Sequence, residues 1–123
     1  MRAAEMYLIE AEALARQAGQ QANALDLLNE LQNARLVETI TNTTVQADLL
    51  DAIWIESRKE LYGEGQTFFN LLRLEKDLVK AGDAADQFTI PAHSWQFVCQ
   101  IPDDEMNFGG ISAQNPLDGI FIP

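Results

Sequence analysis

Proline is confined to the last third of this 123-residue chain, and its distribution limits where long helices can form. Proline fixes φ and lacks a backbone N–H, so it ends or kinks a helix that it interrupts. Residues 1–90 can therefore be helical, whereas the rest of the chain, which also contains Gly109-Gly110, cannot hold a long helix. The four prolines are Pro91, Pro102, Pro116 and Pro123.

Apolar residues recur at helical spacing before the prolines and predict four helices. The helices are expected at residues 2–18, 21–35, 44–62 and 66–81. Gly19 ends the first helix, and Gly63 and Gly65 separate the third from the fourth. Thr43 and Gln46 fit a capping box at the start of the third helix. The first two helices form an antiparallel hairpin that resembles a tetratricopeptide unit, although no second copy follows at the same period.

The remainder of the chain is predicted to be irregular, with short extended pieces at residues 88–90 and 96–101. A structureless segment of this length is uncommon in a compact domain unless it packs on something, so we expect it to lie across the helices. The predicted fold is therefore mainly all-α. It is one domain over residues 1–123, with tetratricopeptide-like helical hairpins over 1–82 and a loop-rich segment over 83–123 packed across them.

Charge and composition exclude several classes of function. Eight basic and nineteen acidic side chains give a net charge of -11, and because the bases are scattered we expect no binding to nucleic acid or to anionic membranes. One cysteine cannot form an internal disulfide, and one histidine cannot supply a histidine-rich metal site. No apolar run approaches the roughly 20 residues that span a bilayer. The chain as written is predicted to be soluble and to hold no cofactor or metal.

Three alternating polar side chains raise the question of a cation site. Asp103, Glu105 and Asn107 are spaced as calcium ligands are, but Phe108 and Gln114 stand where an EF-hand loop needs glycine and glutamate. An EF-hand is therefore rejected. A looser cation site stays open beside the simpler interpretation, in which the acids begin a short helix whose dipole favours them.

The remaining reactive side chains do not form a catalytic pattern. Ser94 follows His93, but adjacency in sequence does not bring a base to its nucleophile, so a surface turn after Pro91 is predicted. Cys99 lies in an apolar stretch and is predicted to be a small buried hydrophobic residue. Gly63-Glu64-Gly65 lacks the third glycine and the preceding strand of a dinucleotide-binding loop. These observations argue against an enzyme.

Three stretches of the sequence carry a family pattern when they are taken in order. They are residues 2–13 (RAAEMYLIEAEA), residues 56–65 (ESRKELYGEG), and Ile101-Pro102 with Glu105, Asn107 and Gln114-Asn115-Pro116. Leu28-Asn29 and Arg35 lie between the first two stretches, and FNLLR at residues 69–73 follows the second. As an ordered set they resemble the C-terminal part of the SusD/RagB family. The sequence departs from the family at Ser57, Gln66 and Asn70, where an arginine, a basic residue and an aspartate are usual.

The resemblance implies a surface lipoprotein that captures glycans or other nutrients and hands them to a SusC-like TonB-dependent outer-membrane transporter. It implies no enzymatic activity. Family members are several times longer and begin with a lipoprotein signal, so it also implies a C-terminal fragment or a shortened relative. Anchoring to the outer membrane would then use a missing N-terminal region. The competing hypothesis is a free-standing tetratricopeptide-like helical adaptor that binds a protein or peptide.

Two tryptophans are the candidate platforms for a sugar. Trp54 is in helical register with Leu50 and Ile53 and is predicted to lie in the core, whereas Trp95 is a weak candidate for a ligand contact. The resemblance implies that the family's platforms lie mainly upstream of this region. We therefore expect this chain alone to bind no oligosaccharide more tightly than about 1 mM.

A polar contact is predicted between the helices. Glu12 lies among small residues of the first helix, and a buried carboxylate needs a partner. We expect Glu12 or Glu60 to pair with Arg35, Arg58 or Arg73 across the helix hairpins.

Overall fold

The protein is mainly helical, as the sequence predicts. The computed structural model describes residues 2–36, 41–82, 86–110 and 113–115, and parts of the predicted loop-rich segment, at 83–85, 111–112 and 116–123, lie outside the described residues. Its elements are α1 (Ala3–Ala15), α2 (Gln21–Ala34), α3 (Gln46–Glu60), α4 (Gln66–Arg73), β1 (Leu78–Lys80), β2 (Phe88–Ile90), a 3₁₀ helix (Trp95–Phe97) and α5 (Asp103–Phe108).

The chain divides into two compact units, Met1–Thr67 and Phe68–Pro123. The predicted single domain, with a scaffold over 1–82 and a segment over 83–123 lying across it, stays a prediction. Within the described ranges, none of the helices combines the length and the apolar composition that crossing a lipid bilayer requires.

The core of the first unit is formed by the apolar faces of α1, α2 and α3. Small residues make much of the α1–α2 contact, since Ala11, Ala15 and Ala24 are completely buried. Side chains of this size allow two helix backbones to approach closely, and larger ones fill the space around them. The buried core residues are Ala4, Leu8, Ala11, Ala15, Ala24, Leu28, Leu31, Leu49 and Ile53.

The first hairpin forms as predicted. The side chain of Gln21 donates to the Ala15 carbonyl at 3.3 Å, and the Tyr7 hydroxyl donates to Glu30 at 3.0 Å, so α1 and α2 run antiparallel. Gly19 in the connecting turn has a φ of 79°, a conformation that glycine adopts without a steric penalty.

Helix α3 does not run antiparallel to α2, as it would if successive helices alternated in direction. Arg35 and Glu60 join the C-terminal ends of α2 and α3, and the Gln46 side chain at the start of α3 donates to Ala15 at the end of α1. Helix α3 therefore runs parallel to α2 and antiparallel to α1. This arrangement agrees with the absence of a second tetratricopeptide copy in the sequence.

The start of α3 differs from the predicted capping box. The Thr43 hydroxyl accepts the N–H of Val45 at 3.2 Å, and α3 begins only at Gln46, whose side chain is used for the contact with Ala15. The Thr43 side chain therefore closes a local turn before the helix, which competes with capping for the same residue types.

The fourth helix is shorter than predicted. Helix α4 ends at Arg73, and the N–H groups of Glu75 and Lys76 donate to the carbonyls of Leu72 and Leu71. This is the Schellman pattern, with Glu75 in the left-handed conformation at a φ of 51°. The expected helix to residue 81 is wrong because that cap closes α4 and the following residues enter a strand.

The second unit contains a small antiparallel sheet. Strand β1 pairs with β2 in a register that places Leu78 opposite Ile90 and Lys80 opposite Phe88. The predicted extended piece at residues 88–90 is confirmed, whereas residues 95–97 form a 3₁₀ helix where an extended piece over 96–101 was expected. Helix α5 follows Pro102, as the acidic first turn predicts.

Candidate functional site

Trp54 belongs to the core, as predicted, and does not present a ring to a ligand. It is 9% exposed, and the guanidinium carbon of Arg58 lies 5.6 Å from its ring centroid. Arg58 was a predicted partner for a buried carboxylate, but it covers the aromatic ring instead. The cation–π contact explains its position.

The predicted polar contact between helices is made by Arg35 and Glu60. Arg35 Nε donates to Glu60 Oε2 at 2.8 Å, and the second guanidinium nitrogen, Nη2, donates to Oε1. The Glu60 side chain is 9% exposed. The hydrogen bond from Arg35 lowers the pKa of the Glu60 carboxyl, while burial works in the opposite direction. This bidentate pair fixes the ends of α2 and α3 to each other.

Glu12 and Arg73, two of the alternatives named in that prediction, each have a contact with a nearby residue of the sequence. Glu12 pairs with Arg16, the residue directly after α1, at 3.0 Å, and Arg73 donates to Asn70 within α4. In both cases the partner lies three or four positions away in the sequence, and such neighbours need no tertiary arrangement to meet.

A second buried carboxylate was not predicted. Glu56 is 3% exposed, accepts a hydrogen bond from Gln32 at 3.1 Å and pairs with Lys59 at 2.6 Å. Gln32 is also buried, and its side-chain oxygen accepts the N–H of Thr41 at 2.9 Å. Through Gln32, these contacts link α3 to α2 and to Thr41 in the connection after α2.

Trp95 is the exposed tryptophan of the chain. It opens the 3₁₀ helix of the second unit and is 40% exposed. The Ser94 hydroxyl caps that helix by accepting the N–H of Gln96, which holds the ring on a defined piece of backbone. The candidate ligand contact predicted at Trp95 therefore stays a prediction with an accessible ring.

Two reactive side chains near Trp95 lie at the surface. His93 occupies the turn that was predicted after Pro91, closed by the Ser94 N–H donating to the Pro91 carbonyl at 3.1 Å. Cys99 is exposed, so its predicted burial is wrong. The apolar residues around it did not indicate which way its side chain points, and in the structure its carbonyl accepts from the Asn115 side chain.

A small cavity of about 100 Å³ lies within the second unit. Its buried walls include Leu71 from α4 and Phe97 from the 3₁₀ helix. Its rim carries Glu75 and His93, whose Oε2 and Nε2 atoms are 3.6 Å apart. The complete lining is Leu71, Leu72, Glu75, Lys76, Ala92, His93, Ser94 and Phe97.

Both rim residues have an unusual backbone conformation. Glu75 has a φ of 51° and His93 a φ of 64°, and a left-handed conformation costs a residue other than glycine about 1–2 kcal/mol. Glu75 is at the Schellman position where glycine is usual, and His93 is third in its turn, where type II turns favour glycine.

The cavity is not predictable from the sequence because its two walls are separated in the chain. Residues 71–76 and 92–97 are brought together by the pairing of β1 with β2 and by a hydrogen bond from the Ala92 N–H to Asp77 at 2.7 Å. The one available signal was the single histidine beside a serine after a proline, which was interpreted correctly as a turn.

The acidic side chains do not form a metal site in the part of the chain that the structure describes. No group of three or more histidine, cysteine, aspartate or glutamate side chains is arranged there to hold a metal ion. Asp103, Glu105 and Asn107 lie on α5, whose acidic first turn fits the helix dipole. The helix interpretation is confirmed, and the looser cation site is not supported.

An acidic surface lies on the first hairpin. A shallow depression there is lined by Glu10, Leu14, Asn23, Asp26, Leu27 and Glu30. The hydrogen bond from the Tyr7 hydroxyl to Glu30 raises the pKa of the Tyr7 phenol, and the negative charge of Glu30 adds to the effect. The contact joins α1 to α2 and leaves the depression negatively charged.

Comparison with known proteins gives a consistent result. The family model described as the SusD family matches residues 1–114. The SusD-like protein P38 of Formosa agariphila is 35% identical, over 61% of this chain and 16% of that protein. The crystal structure of a SusD-like carbohydrate binding protein from Bacteroides vulgatus ATCC 8482 is similar with a TM-score of 0.65 and 29% identity, over 87% of this chain and 28% of that one. The chain thus spans less than a third of the length of either relative.

Proposed function

The chain belongs to the SusD family, and from this membership we propose that it is part of a cell-surface protein that binds glycans or other nutrients for uptake. The observation that carries the proposal is the family match, which runs from the first helix to residue 114 and so includes the loop-rich segment beyond α4. An adaptor built from helical hairpins does not require that segment. The adaptor hypothesis is therefore less well supported.

The chain contributes a scaffold and a small number of ligand contacts to that function. Sugar recognition combines an aromatic face with polar side chains. Trp54 is buried under Arg58 and belongs to the scaffold, whereas Trp95 is exposed and is proposed as a ligand contact. The two carboxylates Glu56 and Glu60 are held in contacts between helices, which also gives them a scaffolding role.

The proposed location and transporter partner follow from membership of the family. We place the protein at the outer membrane, lipid-anchored through a region that precedes this one in longer family members. Its partner is a SusC-like TonB-dependent transporter, to which it passes intact ligand, and it catalyses no reaction. Copurification of a TonB-dependent transporter with the tagged native protein, from detergent-solubilised outer membranes, tests the partnership. Absence of any such transporter from a stable preparation would contradict it.

A chimera tests the binding function. The chain replaces the segment that aligns with it in the Bacteroides vulgatus carbohydrate binding protein, whose fold it shares. We expect the chimera to keep that protein's glycan binding, measured by calorimetry over a panel of soluble glycans, with a Kd within about tenfold of the parent (about 1.4 kcal/mol). Circular dichroism establishes that the chimera is folded. A folded chimera that binds no glycan of the parent's range contradicts the proposal.

A further inference from the structure

The cavity between α4 and the 3₁₀ helix has the features of a site for a small ligand. Its interior is apolar, since Leu71 and Phe97 are both buried. Its lining also includes the polar residues Glu75, Lys76 and His93, and the Glu75 carboxylate and the His93 imidazole are 3.6 Å apart. Small-molecule sites typically combine an apolar interior with a few polar groups that fix orientation.

The site is held together independently of any ligand. The two turns that carry the rim are joined by the β1–β2 pairing and by the bond from the Ala92 N–H to Asp77. The Ser94 hydroxyl caps the 3₁₀ helix and fixes the position of Phe97. A preformed cavity lowers the ordering cost of binding.

The two rim side chains occupy positions whose backbone favours glycine. Glu75 and His93 both have a positive φ, and their side chains converge on the same opening. Their mutual contact does not account for this, because ion pairs between exposed side chains contribute little to stability, and these side chains are 64% and 42% exposed. Strained residues that meet at a cavity indicate a use for their side chains.

We propose that this cavity binds the acetamido group of an N-acetylhexosamine, an inference that rests on the glycan-binding function proposed above. The acetamido methyl group fits a small apolar cavity, and the adjacent N–H and C=O match an acceptor at Glu75 and donors at Lys76 or His93. A plain hexose would place hydroxyl groups against Leu71 and Phe97, where they lose their hydrogen bonds to water. The net charge of -11 also favours a neutral group over an acidic sugar.

Titration of the 123-residue chain with single sugars tests the assignment. We expect N-acetylglucosamine to shift the backbone amide signals of Glu75, Lys76 and Ala92 saturably, with a Kd in the millimolar range and at least about tenfold tighter than glucose or fucose. Glu75→Gly and His93→Gly suit their backbone conformations and should each weaken N-acetylglucosamine binding at least about fivefold without lowering Tm. Leu36→Gly is the matched control, because it also relaxes a positive φ but does not line the cavity.

The proposal is overturned if N-acetylglucosamine gives no saturable shifts, if glucose or fucose binds equally well, or if both glycine variants bind as the native chain does. The comparison of N-acetylglucosamine with glucose and fucose uses the native sequence, so it remains valid even if a variant fails to fold. If the chimera binds glycans but the chain shows no binding of N-acetylglucosamine at this cavity, only this inference is refuted. Acetamido binding by the chain beside a folded, inactive chimera would refute only the proposed function.

Discussion

Leu36 has a backbone conformation that residues other than glycine rarely adopt, with a φ of 55° and a side chain that is 88% exposed. The conformation costs about 1–2 kcal/mol. Glycine removes this cost, but its larger conformational entropy in the unfolded chain offsets part of the gain in stability. We expect Leu36→Gly to stabilise the protein by about 0.5–1 kcal/mol in urea unfolding. Gly19→Ala is the reverse change and serves as a control, because it places a side chain at a position with a positive φ. Its added methyl group meets no atom within 4 Å, so any loss of stability there comes from the positive φ alone. A destabilised Leu36→Gly would show that the leucine side chain has a stabilising contact.

The two tryptophans should differ in what their removal costs. Trp54→Ala removes a core side chain and should destabilise by about 3–5 kcal/mol. Trp95→Ala removes a ring that is 40% exposed and should cost less than about 2 kcal/mol. Chemical unfolding followed by circular dichroism measures both variants without relying on tryptophan fluorescence. Equal losses would mean that Trp95 is a packing residue rather than an accessible platform.

Removing the Arg58 side chain tests its contact with the Trp54 ring. Since it covers an aromatic ring rather than a buried carboxylate, Arg58→Ala should cost only about 0.5–1 kcal/mol, the size of an exposed cation–π contact. Arg58→Lys keeps the charge and should retain part of that amount. A loss of 3 kcal/mol or more, the cost of breaking a buried ion pair, would instead support the pairing predicted from the sequence.

At the scale of elements, the Arg35–Glu60 contact makes the junction of α2 with α3 sensitive to acid. The folded-state pKa of Glu60 is lowered, so its stabilising contribution is complete above the unfolded-chain value of about 4.3. That contribution is lost as the pH falls through the lower folded-state pKa. We expect Tm to fall on acidification below about pH 4.3, and to fall less in Glu60→Gln, when thermal unfolding is followed at a series of pH values. Asp104→Asn in the exposed first turn of α5 is the control. A Glu60→Gln profile parallel to that of the native chain would contradict the role of this carboxyl.

The sequence predicted elements where one local signal was sufficient and failed where two signals competed. The first three helices follow from apolar spacing and from Gly19, which has the expected positive φ. The end of α4 does not, because Leu78 and Val79 continue the helical register and nothing in the sequence marks Glu75 as a left-handed cap. Strand pairing is a contact between distant residues, and it decided the conformation of a segment whose local pattern suggested a helix.

At the scale of the whole molecule, the candidate site was only partly predictable. Register along α3 was sufficient to assign Trp54 to the core, since Ile53 and Trp54 share a buried face. The position of Trp95 depended on a 3₁₀ helix capped by Ser94, and the cavity required two turns to be brought together across β1 and β2. Family membership, in contrast, was predictable from ordered sequence stretches, because it did not depend on knowing which residues meet.

The isolated chain is expected to bind soluble glycans only weakly. Of its two tryptophans one is buried, so a single indole ring is accessible to a sugar, and the apolar cavity of the second unit holds only about 100 Å³. A Kd of 1 mM corresponds to about 4 kcal/mol of binding free energy, and we expect contacts of this small extent to supply no more than that. We therefore expect titration calorimetry over soluble glycans to detect nothing tighter than about 1 mM, including glycans that contain N-acetylhexosamine. A micromolar ligand whose binding is lost in Trp95→Ala but kept in Phe108→Ala, the removal of another exposed aromatic ring, would contradict this expectation. It would then follow that the loop-rich segment holds a complete glycan site of its own.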